Sequence, residues 1–322
     1  MSILRWFKYR LPGFQDGGIR IVGPDVIEVP RAEDADVIVV ANCLFEPFRK
    51  PAAWDALWAD PLIRARPSRV VAYDCADDEC IPPLPGCHYF RCGAPRRMCD
   101  AYPSLIAFPW PSPDLGPWAA TYAPEAAARP YVASFVGWST GRAETPAAVA
   151  SVRRAFPDTA YLVEYQGFHG HAKLADGHTN DPKAGNHRLG DPPGTAETVR
   201  REDEYRRAMF GSLAVLAPQS IPGVLRYRVT EASSCARVPV IVGDGHVFPF
   251  ADRIPWDDLT IQVPSAEAHR TGEILLDRLT AWGPDGFVAR GQRLRAAWER
   301  WLDKDRHPAL MAEVVRERLG VA

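Results

Sequence analysis

Eight short apolar or β-branched runs, at residues 19–22, 37–40, 70–73, 131–136, 161–163, 213–216, 238–242 and 260–263, punctuate this chain and leave between several of them room for a helix. Strands that are apolar throughout, rather than alternating, are buried on both faces, and helices between them supply the cover that a parallel sheet requires. The segments 54–59, 146–156, 197–210, 225–236, 266–279 and 287–301 read as those helices. No solenoid period is present. The pattern predicts an α/β protein. At 322 residues the chain exceeds what one core usually organises, so two domains of roughly 130 to 180 residues are expected.

Two stretches break the pattern. Residues 103–130 hold seven prolines, too many for a helix or a central strand, and read as an inter-domain linker. Residues 166–193 carry four His and three Asp without apolar periodicity and read as a long surface loop. The expected organisation is a first domain at 1–126, a second at 127–290 and a helical tail at 291–322. In open α/β sheets ligands bind beyond the carboxyl ends of strands, which directs attention to the loops that follow them.

The bulk numbers are those of an ordinary globular protein, 47% hydrophobic and 24% charged, and a net charge of -2 offers no whole-molecule attraction for nucleic acid. Met1 to Gly18 contains no continuous apolar run, so a cytoplasmic protein is expected, with at most peripheral membrane contact through the mixed aromatic and basic stretch at 4–10. Seven cysteines without an export signal point to reduced thiols. Five of them (Cys75, Cys80, Cys87, Cys92, Cys99) are separated by 4, 6, 4 and 6 residues, not by the paired two-residue gaps of a zinc ribbon.

The stretch from Leu216 through Phe250 carries the chemistry. It reads strand, Pro222-Gly223 turn, helix, strand, loop, so that the helix amides face the carboxyl end of the first strand, where a diphosphate can sit. Arg228 and Glu231 are three apart and share one helix face. A guanidinium can fork onto phosphate oxygens, and a carboxylate can accept from both ribose hydroxyls. The same spacing also describes a surface ion pair worth only ~0.3 kcal/mol. No strand is followed by the glycine fingerprint of a dinucleotide-dependent oxidoreductase.

Arg228-Val-Thr-Glu231-Ala, followed by Val238-Pro-Val-Ile, Asp244-Gly, Pro249-Phe and Ile254-Pro-Trp-Asp, resembles the core of exostosin-type glycosyltransferases in order and spacing. Phe210-Gly-Ser-Leu-Ala-Val-Leu-Ala-Pro resembles the family's strand before the donor loop, and Ser134-Phe-Val-Gly-Trp-Ser-Thr-Gly-Arg142 resembles the strand that opens its donor domain. The similarity covers about 131–265; in the first half only Asp34-Ala-Asp36-Val-Ile-Val is similar. The resemblance implies a GT-B fold, two Rossmann-like domains facing a cleft with C-terminal helices, and an inverting transfer from a nucleoside diphosphate sugar, a UDP-sugar favoured, to a glycan, glycolipid or other hydroxyl acceptor, with no cofactor and no metal. Carried over, it gives Arg228 the diphosphate and Glu231 the ribose, with Gly137, Arg142 and Gly223 lining the donor loops.

Inversion needs a general base. Asp77 and Asp78, just past the strand at 70–73, are the expected carboxylates; paired acids such as these and Asp257-Asp258 are read as metal-free because arginines supply the positive charge. His169, His171, His178 and His187 are too irregularly spaced for a metal site. A non-catalytic sugar-nucleotide-binding domain of the same fold is the alternative.

Overall fold

The computed structural model describes residues 3–10, 20–40, 51–74, 85–138, 144–165, 196–219 and 221–320. Its strands are β1 (Leu4–Tyr9), β2 (Val26–Glu28), β3 (Val37–Val40), β4 (Val70–Asp74), β5 (His88–Cys92), β6 (Leu105–Phe108), β7 (Tyr131–Trp138), β8 (Ala160–Tyr165), β9 (Ser212–Pro218), β10 (Val238–Val242) and β11 (Ile261–Val263). They form two sheets, in the orders β2-β1-β3-β4-β5-β6 and β11-β10-β9-β7-β8, and every pairing is parallel. The helices are α1 (Pro51–Ala59), α2 (Pro61–Ala65), α3 (Arg96–Ala101), α4 (Ala123–Ala128), α5 (Glu144–Ala155), α6 (Ala196–Gly211), α7 (Tyr227–Ser234), α8 (Trp256–Leu259), α9 (Thr271–Ala297) and α10 (His307–Leu319). Gly283, at φ 63°, interrupts α9 just ahead of Pro284.

The apolar runs behave as their composition demands: Val37–Val40, Val70–Asp74, Ser212–Pro218 and Val238–Val242 are buried at every position. Several boundaries differ from expectation. Residues 20–22 form no strand, and the nearby ladder partner of β1 is Val26–Glu28. The strand β5 carries a buried arginine, Arg91, which hides its strand character in sequence; Arg91 is paired with the buried Asp74 one strand away. The proline-dense stretch is not a bare linker, because it contains β6, the last strand of the first sheet. An edge strand tolerates flanking prolines, since one side of its ladder is unused. The stretch at 4–10 holds β1, in which Leu4, Trp6 and Tyr9 face the core.

The C-terminal helix returns to the first sheet. Val22 N donates to Pro308 O (3.3 Å), Arg316 Nη2 donates to the carbonyls of Pro24 and Asp25 (both 2.9 Å), and the His307 ring packs edge-on to Phe108 at 4.9 Å. One apolar core accordingly runs from the first sheet through Val224, Leu225 and Val229 to Trp298 and Leu310, while a second lies between the other sheet, α5 and α9. No helix among the described residues is long and apolar enough to cross a membrane.

Candidate active site

The second sheet changes direction at its first strand. From β7 the chain steps to β8 on one side and then crosses to β9 on the other, which makes the β7/β9 pair a topological switch point, the place where open α/β sheets leave a crevice beyond their carboxyl ends. After β9 the chain turns through Gly223, whose φ of +78° is the left-handed conformation that glycine adopts without strain. A side chain there would also strike Gly245 O, 2.8 Å from a Cβ. The turn delivers α7, which starts at Tyr227 rather than at residue 225.

Arg228, in the first turn of α7, reaches across to β7. Its Nη2 donates to Val136 O at 3.0 Å, and its guanidinium carbon stands 4.9 Å from the Phe135 ring centre. Gly137 makes room for it: a Cβ there would lie 2.7 Å from Arg228 Nη2. Arg228 Nε is buried without a hydrogen-bond partner. Burial opposes the charge, but the tyrosine hydroxyls of Tyr205 and Tyr227 and the Glu231 carboxylate outweigh it and raise the pKa, so Arg228 remains a cation. One turn further on, Glu231 is 3% exposed, and the Tyr205 hydroxyl donates to its Oε2 at 2.5 Å. That burial is unlike a solvated ion pair on a helix surface.

The ground around this helix is fixed from several sides. Gln219, 3% exposed at the end of β9, accepts from Gly223 N at 3.2 Å and lies 2.8 Å from His246 Nδ1 through its Nε2. Burial, then the charge of Arg96, pushes His246 down to about 4; the ring is neutral at pH 7, and with Gln219 Nε2 as donor its proton sits on Nε2. The first domain grips the same loops: Trp110 Nε1 donates to Leu225 O (2.5 Å), Ser112 Oγ to Tyr227 O (3.3 Å) and Arg96 N to Gly245 O (2.7 Å). Arg237 in turn donates to Met209 O (3.2 Å) and Phe210 O (2.6 Å), tying down the carboxyl end of α6, the helix that carries Tyr205.

The same arrangement of two sheets recurs in Anabaena Alr3699/HepE in complex with UDP, which superposes over 90% of this chain and 80% of that one with a TM-score of 0.50 at 12% identity. The fold is GT-B. In sequence, the chain is 39% identical over 70 residues to a probable glucuronosyltransferase of Oryza sativa subsp. japonica and 38% identical over 69 residues to a second from the same plant. Those stretches are 22% and 21% of this chain and 15% of each relative. No family model matches.

Within the GT-B frame, Gly137, Arg228 and Glu231 come together at the switch point, and Gly223 sets the turn that leads into them. Asp77, Asp78, Arg142 and the four histidines of 166–193 lie outside the described residues. Among the described residues no group of three or more His, Cys, Asp or Glu could hold a metal ion, and Cys99 and Cys235 are free thiols. Sequence reasoning missed Tyr205, Gln219, His246 and Trp110. Tyr205 and Trp110 act from elements remote in sequence, and no local spacing announces them.

Proposed function

We propose that this chain is an inverting, metal-independent glycosyltransferase of the exostosin-like kind, moving a sugar from a nucleoside diphosphate sugar to a glycan, glycolipid or other hydroxyl acceptor. The observation that carries the reading is Arg228: a half-buried cation at the carboxyl end of β7, pressed against a glycine and a phenylalanine face, with one N–H buried and unsatisfied. A phosphate oxygen on the half-buried guanidinium would make a charge-assisted bond, which partial desolvation of the cation strengthens. Glu231, on the same helix face, suits the ribose hydroxyls. The similarity to probable glucuronosyltransferases and the UDP bound to HepE make a UDP-sugar the first donor to try.

The chemistry asked of these residues is electrostatic. Departure of the nucleoside diphosphate leaves negative charge on its phosphate, which Arg228 and the first amides of α7 stabilise where it develops. Deprotonating the acceptor falls to Asp77 or Asp78 in this proposal. His246 is a poor candidate, since a neutral imidazole pushed down to about 4 and locked to Gln219 has little basicity to offer. Incubation with UDP-sugars and a panel of glycan acceptors, with product read by mass spectrometry, tests the reading. Transfer that disappears in Arg228→Ala supports it; transfer equal in wild type and variant refutes it.

A further inference from the structure

Tyr205 belongs to α6, yet it lies against both ionic groups of α7. Its hydroxyl donates to Glu231 Oε2 at 2.5 Å, and its ring centre is 5.9 Å from the Arg228 guanidinium carbon. Burial first, and the Glu231 charge second, hold the phenol well above its usual value of 10. It therefore keeps its proton and donates it to the carboxylate. A carboxylate on a flexible side chain rotates unless it is held, and a neutral donor restrains it while leaving it charged.

We infer, resting on the donor-site reading above, that Tyr205 is a positioning residue for ribose recognition: it orients the Glu231 carboxylate for the ribose hydroxyls and links that carboxylate to the diphosphate-binding arginine. Discrimination between ribose and 2′-deoxyribose then depends on a hydroxyl that touches neither sugar nor phosphate. In ribose discrimination Tyr205 acts through Glu231, so for that readout the two side chains behave as one unit.

Calorimetric titration of UDP and 2′-deoxy-UDP into wild type, Tyr205→Phe, Glu231→Gln and the double variant tests this. Wild type is expected to prefer UDP by about tenfold or more, the value of a hydrogen bond to a charged group. Tyr205→Phe, with an unchanged circular dichroism spectrum, is expected to retain less than about threefold preference, and adding it to Glu231→Gln to change UDP affinity by less than about twofold. Should the phenylalanine variant fold poorly, Tyr205→Met, which fills the space with a flexible apolar chain, gives the same readout. A lowered melting temperature with the full UDP preference intact makes Tyr205 merely structural and overturns the inference while leaving the donor site standing. A wild type that binds UDP and 2′-deoxy-UDP alike overturns the ribose role of Glu231 itself, and this inference with it.

Discussion

Arg228 and Glu231 are held in different ways, and substitutions should report the difference. Glu231 is buried and hydrogen-bonded, so Glu231→Gln keeps the shape while removing the charge. The expected cost is roughly 1.5–3 kcal/mol of nucleotide affinity by titration calorimetry. A solvated pair with Arg228 would instead lose under about 1 kcal/mol of stability and no affinity. Gly137 gives an independent handle on the arginine. Gly137→Ala places a methyl 2.7 Å from Arg228 Nη2, so the guanidinium must move off Val136 O, and UDP affinity is expected to fall about tenfold or more with little change in the folded spectrum. Unchanged affinity in that variant would mean that the arginine reaches the ligand from another position.

At the scale of the element, α7 owes its place to a glycine turn and to a tryptophan from the other domain. Gly223→Ala meets both a left-handed backbone and a carbonyl at 2.8 Å, which should cost roughly 1–3 kcal/mol in urea denaturation. Trp110→Phe leaves Leu225 O without its donor in a buried setting, and a stability loss on the order of 1–3 kcal/mol is expected. The strand–turn–helix–strand sequence of this region was legible because its apolar runs and its Pro222-Gly223 punctuation are local signals. What was not legible comes from elsewhere in the chain: the Tyr205 hydroxyl, the Trp110 donor and the Gln219–His246 contact depend on which loops the fold brings together. β5 and β6 escaped notice for related reasons. The charge of Arg91 is masked by a partner 17 residues away in sequence, and β6 sits among prolines that only a sheet edge accepts.

For the whole molecule, the returning helix α10 makes the two halves share a core, and two histidines at their junctions confer sensitivity to acid. Burial pushes both His246 and His307 down to about 4, helped by Arg96 and Lys304 respectively. Because the unfolded chain takes up protons near pH 6.5 and the folded chain does not until about 4, their stabilising contribution is complete above pH 6.5 and falls as the pH drops toward 4. By pH 5 the loss is roughly 2 kcal/mol per histidine. His307→Phe, which suits the aromatic surroundings of Tyr73 and Phe108, should flatten the melting curve's dependence on pH between 7 and 5. On the proposal that Arg228 supplies the charge, transfer activity is expected to survive EDTA; loss restored by manganese would transfer that role to a metal. The proposed donor site is tested most directly by titrating UDP into wild type and Arg228→Lys, which keeps the charge but not the fork. Binding to wild type that weakens at least about tenfold in Arg228→Lys is the expected result; equal affinity in the two proteins would contradict the assignment of Arg228 to the diphosphate.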